Sequence, residues 1–336
     1  MGKRILFIAT GGTIASEVTA LGLKPGISAA ALLAAVPAIG ALCDVESLQL
    51  YDLDSTDIGP EHWLGMAKVI RERYDEFDGF VLSHGTDTMA YSAAALSYLI
   101  QGSAKPIVFT GAQKPMGFDT TDSRVNLYDS FLCACRDDMH GVMIVFNGRV
   151  ILGTRARKTH TKSFDAFSSI NYPHIADVRD GRVMQYIVPE YDAAPTFSDK
   201  LNTRVSLMKL IPGCDPGQLE WLLARSDALV IESFGVGGLP RGMHECAHRS
   251  AREGKLLVMT TQVQNEGSDL AVYGTGRPLS EDPLILEAYD MTTEAAVTKL
   301  MWLLPLATSQ AEAARLFYTP VSKDILTSRL TGKEEP

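Results

Sequence analysis

Basic charge is scarce in this chain: 31 lysines and arginines stand against 40 aspartates and glutamates, a net charge of -9 over 336 residues. Nucleic acid and anionic membranes both demand clustered cations, so neither is expected as a partner. Cysteine is scarcer still. Cys43, Cys133, Cys135, Cys214 and Cys246 are odd in number and scattered, which argues against a disulfide framework. The seven histidines show no HExxH or other zinc spacing, so no metal is expected. Neither the P-loop pattern nor the dinucleotide GxGxxG occurs at the glycine-rich turns discussed below, and no cofactor is expected. No apolar run reaches the roughly 18 residues of a membrane span. The opening MGKRILFIATGG has a basic pair and a short apolar run but no leader-type h-region and cleavage site, so the expected location is the cytoplasm.

What is present is the mixture of a soluble globular protein, 46% hydrophobic and 21% charged, long enough for two domains. The first half alternates strand and helix. Residues 4–9 (RILFIA) form an apolar, β-branched run stopped by Gly-Gly. Further strands are expected at 45–51, 79–83, 106–110 and 142–146. Helices are expected from Ser28 to Pro37, from Pro60 to about 76, and over 88–100 and 122–136. Successive βα units predict an α/β fold: a doubly wound, mainly parallel sheet in an N-terminal domain over 1–187. Residues 188–204, where periodicity gives way to Pro, Asp and small polar residues, read as a linker. A smaller α/β domain over 205–336 follows. Its strands are expected at 205–211, 228–234 and 255–261, and its helices near 216–225, 240–253, 292–304 and 309–317.

In open parallel sheets, ligands bind beyond the carboxyl ends of the strands. Those ends carry Thr10-Gly11-Gly12-Thr13, Asp52 to Asp57, His84-Gly85-Thr86-Asp87-Thr88, Gly111-Ala112-Gln113, and Asn147-Gly148 followed by the basic Arg155 to Lys158. Hydroxyls, carboxylates and a lysine should therefore converge. A threonine becomes a nucleophile only when a base or relay takes its proton, and a lysine can do so when burial or neighbours lower its pKa. Thr86, Asp87 and Lys158 could form such a relay, and the glycines beside each threonine would let backbone N–H groups approach a substrate. Plainer readings exist for each. GGT can be an ordinary strand-to-helix turn. Asp87 or Thr86 can cap the helix near 88, and Ser55 or Asp57 the helix at Pro60. Lys158 can be a solvated surface lysine.

ATGGTIAS at 9–16 and HGTDTMAYSA at 84–93 resemble the two signature motifs of the L-asparaginase family. DST at 54–56, FTGAQ at 109–113 and KTHTKSFDAFSSINYP at 158–173 follow in the family's order. IESFGVGGLP at 231–240 and DMTTEAAVTKLMWLL at 290–304 resemble its cytoplasmic, type I branch. The resemblance implies hydrolysis of L-asparagine to L-aspartate and ammonia, with minor glutamine hydrolysis. Thr13 is implied as the acylated nucleophile, with Thr10 its rival in the same motif. Thr86, Asp87 and Lys158 are implied as the second catalytic group. Asp87 would also bind the substrate ammonium, Ser55, Thr56 and Asp54 would line the carboxylate side with Gly85, and Ala112 would bound the amide side. A homodimer or homotetramer is implied.

Two departures stand out. Leu23 occupies the place of a tyrosine that family members often carry on the loop after GGT, leaving Tyr273 as a substitute hydroxyl. Thr261-Gln262-Val263 stands where some type I enzymes have an allosteric TQC segment. Two other functions compete with the stand-alone enzyme. An ammonia-donating subunit of a tRNA-dependent amidotransferase would carry a further module ahead of the GGT strand, which begins here near residue 4, and the chain is acidic. A non-catalytic amino-acid sensor would explain the missing tyrosine but not the retention of Thr13, Thr86, Asp87 and Lys158.

Overall fold

The computed structural model describes residues 2–19 and 22–326, with residues 18, 19 and 23–25 described by backbone alone. The chain divides into two compact units, Met1–Asp199 and Lys200–Pro336.

The first unit opens with β1 (Lys3–Gly11), followed by a hairpin of β2 (Ser16–Thr19) and β3 (Gly22–Pro25). Helix α1 (Ala29–Ala34) begins at Ser28, whose hydroxyl accepts the Ala31 N–H; Pro37 then opens a separate 3-10 turn. Next come β4 (Cys43–Leu53), α2 (Pro60–Glu72), β5 (Gly79–Ser83), α3 (Met89–Leu99), the short β6 (Ile100–Gln101), β7 (Pro106–Thr110), α4 (Ser123–Ala134) and β8 (Gly141–Phe146). The remaining strands are β9 (Arg149–Leu152), β10 (Ala156–Lys158), β11 (Phe167–Ser169), β12 (Ala176–Arg179), β13 (Arg182–Gln185) and β14 (Thr196–Phe197). β14 pairs with β6, so the chain around residue 196 is tied to this unit.

The main sheet has the order β13-β12-β9-β8-β7-β5-β1-β4. Its five expected strands are mutually parallel and run β4-β1-β5-β7-β8, a 2-1-3-4-5 winding. In that winding the strand order reverses between β1 and β5, where a crevice opens. The central strands are continuous apolar runs because both faces are covered: GFVLS and PIVFT are buried throughout. Phe7 packs on Phe131 of α4 from one side of the sheet, with ring centroids 5.7 Å apart. Truncating such a ring to alanine costs about 3–5 kcal/mol. On α2, the buried Trp63, Met66, Ala67 and Ile70 recur at helical spacing. The antiparallel extension β9-β12-β13 lies beyond what periodicity predicted.

The second unit contains β15 (Val205–Lys209), α5 (Pro216–Arg225), β16 (Ala228–Ser233), α6 (Arg241–Arg252), β17 (Leu256–Thr261), the short α7 (Arg277–Ser280), β18 (Ile285–Glu287), α8 (Thr293–Leu303) and α9 (Gln310–Tyr318). Its sheet, β15-β16-β17-β18, is parallel throughout. The fold is therefore α/β with a large, mainly parallel sheet and a separate small one, as the sequence predicts. No helix among the described residues is long and apolar enough to cross a membrane.

Candidate active site

Three turns meet backbone to backbone at the crevice. β1 ends in Gly11 and Gly12 with φ of +100° and +81°, which side-chain-bearing residues rarely adopt. A Cβ on residue 11 would stand 2.4 Å from the Leu53 carbonyl oxygen, and one on residue 12 would stand 2.3 Å from the Gly85 nitrogen. The Gly12 N–H donates to the Leu53 carbonyl at 3.0 Å. A Cβ on Gly85 would in turn fall 2.5 Å from Ser55 Oγ. Glycine is thus required here by contact between the loops after β1, β4 and β5. It brings the residue before Thr13 against the residue before Thr86.

The two threonines of the first turn differ sharply. Thr10 is buried, and its hydroxyl donates to the Ser83 carbonyl at 2.8 Å, stitching β1 to β5. Thr13 is half-buried at the start of a 3-10 turn, past that stitch. Among the described residues no group accepts the N–H of Thr13 or of Thr86.

Lys158, at the end of β10, donates from Nζ to Thr86 Oγ1 at 2.8 Å and to Asp87 Oδ1 at 2.6 Å. Its side chain is 17% exposed and that of Asp87 60%, so the ammonium is sheltered while the carboxylate faces solvent. Thr86 Oγ1 donates onward to Gln113 Oε1 at 3.3 Å. The capping roles open to these residues are not taken. α3 has Thr88 at its N-cap position without a side-chain cap, and the Thr88 hydroxyl donates to the Ser55 carbonyl instead. Nor do Ser55 and Asp57 cap α2: its N-cap is Gly59, whose N–H is accepted by His62 Nδ1. Ser55 to Asp57 form their own 3-10 turn, capped by Asp54, whose carboxylate accepts both the N–H and the hydroxyl of Thr56. Asp54 and Thr56 therefore satisfy one another. Ser55 is buried against Gly85, and Ala112 is buried within the loop after β7.

Several supporting groups lie outside the residues singled out from sequence. Gln113 Nε2 donates to the Ser163 carbonyl at 3.0 Å, linking Thr86 to the loop after β10. Both Gln113 and Lys114 present their N–H groups to the Asp122 carboxylate, which also accepts from Asn126 Nδ2. The Asn126 side chain completes the frame, donating to the Gly111 carbonyl and accepting the Asn147 N–H. FTGAQ and DSRVN carry these residues, but only long-range contact reveals the frame.

Two expectations about the departures have partial answers. Leu23 pairs with Val18 by backbone in the β2–β3 hairpin, but its side chain lies outside the described residues. Tyr273 is 62% exposed in the second unit, lining a cavity of about 550 Å³ with Arg241, His244 and Thr275.

The family profile "Asparaginase, N-terminal" matches residues 4–190, and "Glutaminase/Asparaginase C-terminal domain" matches residues 204–317. The chain belongs to the asparaginase family. It is 37% identical to an L-asparaginase of Thermococcus kodakarensis over 332 residues, covering 97% of this chain and all of that protein. The solved structure titled the thermostable L-asparaginase from that organism superposes with a TM-score of 0.90 at 36% identity, covering 96% of this chain and 99% of the other. L-asparaginase I of Vibrio cholerae superposes with a TM-score of 0.86 at 26% identity, covering 97% and 100% of the two chains. One subunit of the Glutamyl-tRNA(Gln) amidotransferase of Pyrococcus horikoshii is 33% identical over 339 residues, covering 96% of this chain and 76% of that protein. The asparaginase family is one of amidohydrolases, and this member carries the hydroxyls, carboxylate and lysine on one rim.

Proposed function

We propose that this asparaginase-family chain hydrolyses the side-chain amide of L-asparagine to L-aspartate and ammonia, with Thr13 as nucleophile and no cofactor or metal. The observation that carries this reading is the sheltered Lys158 ammonium bonded to both Thr86 and Asp87, on a turn packed against the one that bears Thr13. In the first step the Thr13 hydroxyl oxygen attacks the amide carbon. Its proton passes to the departing nitrogen, the C–N bond breaks, and ammonia leaves a β-aspartyl ester. Water then attacks the ester, and its proton restores the Thr13 hydroxyl. The Thr86–Lys158–Asp87 set would relay protons in one or both steps. The N–H groups of Thr13 and Thr86, having no acceptor among the described residues, suit the developing oxyanion.

Asp87, the exposed carboxylate, suits the substrate ammonium. Ser55 suits the α-carboxylate better than Thr56 or Asp54, which bond to each other. Gly85 and Ala112 form the walls. Thr10 is the weaker nucleophile because Ser83 holds its hydroxyl. Glutamine, one methylene longer, would be a slower substrate, disfavoured by about 1–3 kcal/mol. We place the enzyme in the cytoplasm as a homodimer or homotetramer, as its resemblance to the type I branch implies; sedimentation would give the size. The domain division is proposed at a linker over 188–204.

Ammonia release from L-asparagine tests the reading. Thr13→Ala should abolish it, whereas Thr10→Val should retain most activity at a stability cost of about 1 kcal/mol. Wild-type turnover in Thr13→Ala would refute the assignment. The likeness to a tRNA-dependent amidotransferase component favours a second reading, in which ammonia passes to a partner. Co-purification with another protein chain or with tRNA would support it.

A further inference from the structure

Beneath the second signature turn runs a chain of buried polar groups that the proposed chemistry does not itself use. Trp63 Nε1 donates to Ser92 Oγ at 2.8 Å, and Ser92 Oγ lies 2.9 Å from His84 Nε2. His84 Nδ1 lies 2.7 Å from the Gly85 carbonyl oxygen. A carbonyl only accepts, so Nδ1 carries the proton and Nε2 accepts from the serine hydroxyl. Every donor then has one acceptor: indole to hydroxyl, hydroxyl to imidazole, imidazole to backbone.

His84 and Ser92 are wholly buried and Trp63 nearly so. Burial lowers the His84 pKa to about 4, so the ring stays neutral where asparagine chemistry would proceed. The ring is also held by Phe109, edge-on with centroids 5.8 Å apart, and the His84 N–H donates to the Thr110 carbonyl. The planar trans peptide supplies the consequence. The carbonyl of residue 85 and the N–H of residue 86 point in opposite directions. Holding the Gly85 carbonyl inward on the buried ring turns the Thr86 N–H away from it, and that N–H has no acceptor among the described residues.

We propose that His84, held in one tautomer by Ser92 and Trp63, is a positioning residue that sets the Gly85–Thr86 peptide for catalysis. It touches neither substrate nor reacting atoms. Its role rests on the asparagine hydrolysis proposed above. Without Ser92, Nε2 loses its donor and only the Gly85 carbonyl still favours the proton on Nδ1. The Nε2–H tautomer would set a lone pair against the Gly85 carbonyl and release the peptide plane.

The test combines kinetics with ¹⁵N-histidine NMR on the full chain. Wild-type His84 should show a single Nδ1–H tautomer unchanged between pH 5.5 and 8 (a window set above the folded pKa of about 4). Ser92→Ala should show mixed tautomers, a displaced Thr86 amide resonance and kcat down by about tenfold, less than the roughly hundredfold or greater loss of a whole oxyanion donor, with KM within about twofold. Trp63→Phe should follow the same pattern more weakly. His84→Asn, which keeps an N–H near the Nδ1 position, should retain more kcat than His84→Leu at equal melting temperature. A purely structural role predicts that kcat follows melting temperature alone and does not separate the two variants.

An Nε2–H tautomer in the wild type overturns the proposal. So does an unchanged Thr86 amide resonance and kcat in folded Ser92→Ala. If the wild type releases no ammonia from asparagine, the functional reading fails by itself. The tautomer and the Thr86 resonance still decide whether His84 positions the peptide.

Discussion

Both units present the carboxyl ends of parallel strands, yet the polar groups at those ends are engaged in opposite ways. In the first unit, Lys158 bonds to Thr86 and Asp87, Asp87 stays exposed, and the N–H groups of Thr13 and Thr86 have no acceptor among the described residues. In the second, Gln262 Nε2 donates to the carbonyls of Leu210 and Glu232, and the Thr261 hydroxyl donates to the Gly235 carbonyl. The Thr293 hydroxyl is likewise taken by Glu232. That edge also exposes two large apolar side chains, Phe234 and Val263. The same architecture can therefore hold itself together or leave donors for a ligand, and the hydrogen-bond inventory tells which.

Substitutions can break or sharpen this contrast. The largest effect belongs to Lys158→Met, which keeps the stem but removes the proton carrier. It should lower kcat by about a hundred- to ten-thousand-fold while the protein stays folded. Near wild-type kcat would show that Lys158 is only a structural tie.

Asp129→Asn, on buried α4 of the first unit, comes next and reads stability. Burial raises the Asp129 pKa from 3.8 to about 6, so folding favours the protonated acid. The group costs nothing below the unfolded pKa, and the cost grows as pH rises through about 6. At pH 8 the asparagine variant should be more stable by up to about 3 kcal/mol, and at pH 4 no more stable than the wild type. His84 acts in the other direction. An unfolded imidazole takes up a proton below about 6.5 and the folded one only near 4, so its contribution is lost as pH falls through that window. Thermal melts across pH separate the two, and a gain at pH 4 equal to that at pH 8 would refute the Asp129 account.

The smallest effect should come from the second edge. Gln262→Ala leaves the Leu210 carbonyl without a donor, while the Glu232 carbonyl keeps the Leu210 N–H; it should cost about 1–2 kcal/mol, with kcat on asparagine within about twofold. A collapse of kcat at unchanged stability would show that this edge also serves the chemistry.

How much of this was legible in sequence followed from how each element is stabilised. Strands such as PIVFT and GVMIVF are buried on both faces and read as apolar runs. β9, β12 and β13 are four residues each, mixing arginine and aspartate with apolar residues, and their pairing comes from the sheet edge rather than from any period. β18 is three residues long. At the site, Thr86, Asp87 and Lys158 were visible as chemistry in turns, and the structure brings them together. The second side of the pattern was hidden. His84 and Ser92 both stand inside the signature, but their bond and its extension to Trp63 on α2 run through helix faces that look like ordinary core. That Asp54 engages Thr56 rather than a ligand also depends on a bond no motif announces.

The central claim is that the Thr13 oxygen carries the acyl group. Acid-quenched enzyme mixed with L-asparagine, digested and weighed by mass spectrometry, addresses it directly. The predicted result is a gain of about 115 Da, an aspartyl ester, on the peptide containing Thr13. The same adduct on the Thr86 peptide, with Thr13 unmodified, would contradict it.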